Sequence, residues 1–525
     1  MTTLLPLTFD SPAPVPSQLQ GYLSVNSMGG QSVLDATTVA KTTDPFHGTK
    51  KDANQAKKAA ESAGLSIIAE SRLGLAVVGP PAAYEELTGG KVVTKEVLLY
   101  AEAATRRYVT HVDITGKNQP SALGCARPKS SVAGIEAVIL ERPRAPQAAA
   151  AWIAPATPRP QQGGGIWPSP IPPNVPGFYL RVPQDVALGL GAPQAQKQGF
   201  RGQGVRVAMV DTGFYLHPFF PAHHYQIATP IAVVPGVDQG GDPVGHGTGE
   251  SANMFANAPD AELQPIRASN DAGELVAAIA GFMRAKSLSG DQKPQIISNS
   301  WGGDMQFPPA SNTLPPQDVA FALELKDAVE LGIFVVFSAG NGQFSTEPQV
   351  PEVFAAGGTY MSSNMALQAS NYASGYESPF FPNRIVPDSC GLVGLLPRAL
   401  YIMLPIPPGC QLDVEESHGD DQSNPGDGTA PNDGWALFSG TSAAAPQVAG
   451  AAAVLLSAQN PSKTPLTPAQ IKESLSQTCV DVRFGTCHPR FNNAAGPGQD
   501  LATGFGLVNI TAALEYAKTK FPASF

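Results

Sequence analysis

The sequence predicts an α/β chain: a doubly wound parallel sheet covered by helices on both faces, preceded by a small α+β module. Three observations carry this. From about residue 205 onward, short apolar runs alternate with helix-patterned segments, as crossovers between parallel strands require. Residues about 20–100 instead show helix, strand, strand, helix, strand behind one early strand, the order of a split βαβ module of ferredoxin-like type. Between the two, residues 143–177 are dominated by proline, alanine and glycine, which reads as a linker or extended arm. The expected divisions are therefore 1–142 (core about 20–100), a linker over 143–177, and a large domain over 178–525.

Within the first module, Gly21-Tyr22-Leu23-Ser24-Val25 reads as a strand and Asp52 to Ala63 as a helix of good formers stopped by Gly64. Leu65 to Ala69 and Leu73 to Val78 follow as strands, Pro81 to Leu87 as a helix opened by proline, and Lys91 to Leu99 as the closing strand. Strand-like pieces at Tyr108 to Val112 and Ala137 to Leu140 have no place in that order. In the large domain the expected strands are Val205 to Val210, Gln295 to Asn299 and Ile333 to Phe337. The expected helices are Glu274 to Lys286, Gln317 to Leu331, the Ala-rich run after Ser442, and one opened by the capping box at Thr467-Pro468-Ala469-Gln470.

Composition excludes several classes. A 525-residue chain with 42% apolar residues and no three-residue glycine period is neither disordered nor collagenous. A formal charge of −10 argues against nucleic acid or an anionic membrane as main partner. No run of about 18 apolar residues appears, so no membrane span is expected. The N-terminus lacks the basic patch and apolar core of a secretory signal, which points to the cytoplasm or to leaderless export. Five cysteines leave two readings: disulfides Cys390–Cys410 and Cys479–Cys487 with Cys125 apart, or five thiols.

Ligands of a parallel sheet sit beyond the carboxyl ends of its strands, so the chemistry should follow each strand. Asp211-Thr212-Gly213 follows the first, Ser338-Ala339-Gly340-Asn341-Gly342 follows the third, and Gly245-His246-Gly247-Thr248 lies between. Gly440-Thr441-Ser442 opens the Ala-rich helix, where exposed N–H groups favour developing negative charge. An acid, a base and a serine thus come in the order Asp, His, Ser, with an amide donor before the serine. A serine hydroxyl is a poor nucleophile until an imidazole takes its proton. The imidazole in turn needs a carboxylate to fix its tautomer, and the oxyanion needs fixed donors.

With Ser298-Asn299-Ser300-Trp301-Gly302, Ala443-Ala444-Ala445-Pro446 and Gly504-Phe505-Gly506 added, the chain resembles the subtilisin-type serine endopeptidases, the subtilases, over roughly residues 180–520. The resemblance implies a subtilisin-like fold, Asp211, His246 and Ser442 as catalytic triad, and Asn341 with the Ser442 N–H as oxyanion hole. It also implies that Ser300, Trp301, Gly302 and Ser338, Ala339, Gly340 form two backbone edges between which a protein or peptide substrate adds as a strand. The N-terminal module then corresponds to a prosegment, an intramolecular inhibitor and folding assistant of a zymogen. Gly249 and Gln447 depart from the family's frequent histidines, outside the triad. No cofactor is required. The acidic stretch from Asp413 through Asp433 offers groups that bind calcium in relatives, but it lacks the regular spacing of a calcium hand, so no metal ligand is assigned. An inactive fold kept as a binding protein is the alternative, and the four intact chemical positions argue against it.

Overall fold

A computed structural model describes residues 14–36, 39, 41–102, 105–116, 122–142, 144–147, 167–397, 399–419 and 426–525. They fall into two units, Met1–Pro143 with Asp304–Ala320, and Arg144–Gly303 with Phe321–Phe525.

The first unit contains β1 (Leu19–Val25), α1 (Lys50–Ser62), β2 (Ser66–Glu70), β3 (Gly74–Gly79), α2 (Pro81–Thr88), β4 (Lys91–Glu102), β5 (Thr105–Thr115), β6 (Cys125–Ala126) and β7 (Ile135–Leu140). Thr49 caps α1 by accepting from the Asp52 N–H, and Ala56 and Ala60 are its buried face. The antiparallel sheet runs β2-β3-β1-β7-β6. One expectation is corrected: β4 does not close the sheet but forms a separate hairpin with β5. Its place beside β1 is taken by β7, the stretch that had no place in the sequence reading. Burial explains the exchange. Ala137, Val138, Ile139 and Leu140 are all buried, whereas Val92 is the buried apolar residue in a first half of β4 that also carries Lys91, Lys95 and Glu96. The split arrangement survives, with β3 and β7 flanking β1.

The second unit begins with β8 (Ala145–Pro146) and continues through β9 (Arg206–Asp211), α3 (His246–Asn257), β10 (Glu262–Arg267), α4 (Ala278–Ser287), β11 (Ile296–Asn299) and β12 (Trp301–Gly302). Then come α5 (Pro316–Glu330), whose residues 316–320 count with the first unit, β13 (Phe334–Ser338), β14 (Phe354–Met361), β15 (Ser389–Leu392), α6 (Thr441–Ser457), α7 (Pro468–Ser476) and α8 (Ile510–Lys520). Its parallel strands run β10-β9-β11-β13-β14-β15. Val207, Ala208, Met209 and Val210 are all buried, as a strand covered on both faces requires.

Helix α6 is buried over residues 441–455, and its small residues permit close packing. A Cβ on Gly450 would lie 2.5 Å from the Met254 carbonyl oxygen of α3. The capping box at Thr467 and Gln470 is present.

Of the stretch 143–177, residues 144–147 and 167–177 are described and the rest of the expected linker lies outside the described residues; Ala145–Pro146 pairs as a strand, Trp435 donates from Nε1 to the Ser169 carbonyl at 2.9 Å, and Val175 is buried. All five cysteines are free thiols, so neither Cys390–Cys410 nor Cys479–Cys487 is bonded. Among the described residues, no helix is long and apolar enough to cross a membrane.

Candidate active site

Asp211 ends β9, and its Oδ1 accepts from its neighbour Thr212 N and from His246 Nδ1, both at 2.7 Å. His246 is the first residue of α3, presented by a turn in which Gly245 has φ +91°. That turn is tied by Asp242, which sequence reasoning missed. Asp242 Oδ1 accepts from Thr212 Oγ1 at 2.8 Å and Gly245 N at 2.9 Å, and its Oδ2 accepts from Thr248 N at 2.9 Å and Thr248 Oγ1 at 2.7 Å. Gly213 faces the same turn at φ +154°, where an added Cβ would come within 2.1 Å of the Gly241 carbonyl oxygen. The available signal for Asp242 was an aspartate in a Gly- and Pro-rich turn four residues before His246.

Burial alone would lower the His246 imidazole; the Asp211 carboxylate, with Glu250 and Asp242 behind it, outweighs this and raises it to about 9. Glu250 lies one helical turn along α3, fully buried, with Oε1 3.7 Å from His246 Nε2. Burial pushes its carboxyl up to about 7, against the opposing pull of His246, Ser442 and Asn253. The other oxygen, Oε2, accepts from Asn253 Nδ2 at 2.9 Å, and Asn253 Oδ1 accepts from Gln447 Nε2 at 3.1 Å. The departure at Gln447 therefore belongs to a polar chain that leads to the site. Neither Ser442 Oγ nor His246 Nε2 makes a hydrogen bond of ordinary geometry.

Ser442 is the second residue of α6. Pro446 sits four residues on and has no N–H to give the Ser442 carbonyl, which accepts instead from Ser300 Oγ at 2.8 Å. Asn341 follows β13. Its Oδ1 accepts from Thr441 N at 2.9 Å and Thr441 Oγ1 at 3.0 Å, which turns Nδ2 outward toward a peptide carbonyl.

That carbonyl belongs to Gln147. Its oxygen accepts from Asn341 Nδ2 and, at 3.3 Å, from Ser442 N. Upstream, Ala145 and Pro146 pair antiparallel with Gly302 and Trp301, Gln147 N donates to Ser300 O at 3.0 Å, and Arg144 bridges to Leu275. A segment of this chain thus lies in the cleft as a strand.

Of the residues expected to form two backbone edges, Trp301 and Gly302 pair with this segment and Ser338 meets Gln147 through its side chain; Leu275 bridges to Arg144 on another side. Ala339 N donates to Ala356 O at 2.9 Å and Gly340 N to Thr441 Oγ1 at 3.0 Å. Ser338 instead donates its hydroxyl to Gln147 Oε1. Trp301 is fully buried, donates from Nε1 to the Val210 carbonyl at 2.9 Å, and stacks on Phe321.

In the acidic stretch, Asp427 and Asp433 accept from backbone N–H groups of their own loop and of the following strand, and Asp413 from Gly409 and Gly434. Among the described residues, no three of its side chains come together at coordination distance.

The chain is 27% identical to alkaline elastase YaB of Bacillus sp. (strain YaB) over 334 residues, covering 61% of this chain and 68% of that one. It is 26% identical to subtilisin Savinase of Lederbergia lenta over 334 residues, 61% of this chain and 95% of the relative. Among solved structures, fervidolysin from Fervidobacterium pennivorans, a keratinolytic enzyme related to subtilisin, superposes with a TM-score of 0.51 at 17% identity. That likeness covers 95% of this chain but 61% of fervidolysin, and it speaks for the fold. The profile of the Subtilase family matches residues 202–506, the span that holds Asp211, His246, Asn341 and Ser442, and the chain belongs to that family of serine endopeptidases.

Proposed function

We propose that the chain is a serine endopeptidase made as an autoinhibited zymogen, with Asp211, His246 and Ser442 as triad and Asn341 as oxyanion donor. The observation that carries this is the Gln147 carbonyl, held between Asn341 Nδ2 and Ser442 N where a tetrahedral oxyanion would develop. His246 Nε2 takes the Ser442 proton as Oγ attacks the carbonyl carbon of the scissile bond. Collapse breaks the C–N bond, and the amine leaves with the proton that His246 returns. Water then attacks the acyl-enzyme ester, giving its proton to His246, and the acid product departs as Ser442 Oγ is reprotonated. Asp211 keeps the imidazole in the tautomer that places its lone pair at Nε2.

The sequence N-terminal to Arg144 is continuous with the segment in the cleft, which supports its role as intramolecular inhibitor and folding assistant. Its substrates are proteins and peptides in extended form, since the cleft adds them as a strand. The residues present need no organic cofactor for this chemistry, and the acidic loop uses its carboxylates on its own backbone.

The test is exposure of the purified chain and of Ser442→Ala to a fluorophosphonate, read by intact mass. Uptake by wild type alone supports the reading. No uptake by wild type, even after limited proteolysis, moves the chain to the binding-protein class.

A further inference from the structure

Building on the zymogen reading, we propose that the cleft selects substrates with glutamine at the residue whose carbonyl is attacked and arginine three residues before it. The juxtaposition is that of Arg144-Ala145-Pro146-Gln147 with Ser338, Gly302, Ser345, Glu347, Trp301 and Phe321.

The Gln147 side chain is 1% exposed. Burying a primary amide is costly unless its pocket supplies partners. Here the Ser338 hydroxyl donates to Oε1. The far end of the amide lies where Gly302 lacks a side chain: a Cβ there would be 2.6 Å from Gln147 Nε2 and 3.1 Å from Ser345 Oγ. Both Nε2 and Ser345 Oγ lie around that one point, buried and without a hydrogen bond, so the pocket floor is polar on that side. An apolar side chain of the same length leaves the Ser338 hydroxyl without the acceptor that Gln147 Oε1 gives it. A ring would overrun the space the amide fills beside Gly302. A glutamate would bury a charge beside two serines.

Arg144 is held with equal definition. Its Nε donates to Glu347 Oε1 at 3.0 Å, with the two side chains 5% and 3% exposed. Its guanidinium carbon lies 5.7 Å from the Trp301 ring centre and 5.2 Å from that of Phe321. A planar cation over two aromatic rings and against one buried carboxylate suits arginine better than lysine. Pro146 and Ala145 between them are fixed by the ladder with Trp301–Gly302 and need little from their side chains.

The test uses the full chain after self-processing, its active sites counted by fluorophosphonate uptake. Internally quenched peptides carry Arg-Ala-Pro-Gln ahead of the cut, and single changes replace the glutamine by Leu, Phe or Glu, or the arginine by Lys or Ala. Replacing glutamine should lower kcat/KM about 10–100-fold. Replacing arginine by alanine should lower it at least about tenfold, with lysine between. Ser338→Ala should compress the Gln-to-Leu ratio more than it lowers casein cleavage. Equal or faster cleavage of the Leu or Phe peptide overturns the glutamine assignment, and indifference to the arginine overturns the other. If probe uptake and casein cleavage are both absent, the proposed function itself fails; if they are present and the peptides are not discriminated, the selectivity alone does.

Discussion

Glu250→Gln probes the least expected feature of the site. The base must be neutral to accept the serine proton, so activity rises as pH climbs through the His246 pKa, which buried carboxylates raise to about 9. Glu250 supplies part of that rise only when ionised, above its own raised value of about 7. A unit charge at the observed 3.7 Å is worth ~4 kcal/mol at an effective dielectric of ~20. The cost of ionising Glu250 in the same buried site cancels most of this, leaving a change of about one pH unit, or ~1.4 kcal/mol, in the imidazole. Glutamine keeps the shape and the acceptor for Asn253 Nδ2. The assay is kcat/KM on one peptide from acid to alkaline pH. The rising limb of Glu250→Gln should sit about one unit lower, so the variant gains activity relative to its own plateau at neutral pH. A limb that stays in place, or moves up, would show that Glu250 does not reach the imidazole electrostatically.

Other perturbations follow from named contacts. Asp242→Asn turns an amide toward the Thr248 N–H and breaks the tie on the His246 turn, so kcat should fall at least about tenfold and unfolding in urea should show a loss of about 1–3 kcal/mol. Ser300→Ala strands the buried Ser442 carbonyl that Pro446 cannot serve, and should cost about 1–2 kcal/mol in the same assay. Gly450→Val drives a side chain into the Met254 carbonyl, and soluble yield or melting temperature should drop by the equivalent of more than about 3 kcal/mol.

Much of the fold was legible because it is local. The apolar runs at Val207 to Val210 and Phe334 to Phe337 and the capping box at Thr467 are each written in a few consecutive residues. The strand Glu262–Arg267 was not legible, because Pro265 in its middle argues against a strand that nevertheless pairs on both sides. Nor was the choice of β7 over β4 beside β1, since pairing partners depend on which faces the tertiary structure buries. Asp211, His246, Asn341 and Ser442 could be proposed from motifs, because the proposed chemistry needs each residue type at a strand end or helix mouth. Glu250 was within reach of helical spacing from His246. Leu275, Glu347 and Gln147 were not, because what they do depends on a peptide strand crossing the cleft, and no local pattern announces that.

The Gln147 carbonyl of this chain lies between Asn341 Nδ2 and the N–H of Ser442, the proposed nucleophile. The direct measurement is the intact mass and N-terminal sequence of the purified full chain beside Ser442→Ala. Wild type is predicted to break after Gln147, giving a large fragment that begins at Ala148, while the variant stays whole. Cleavage of the variant at the same bond, or a wild type that labels with fluorophosphonate yet never breaks there, would contradict it.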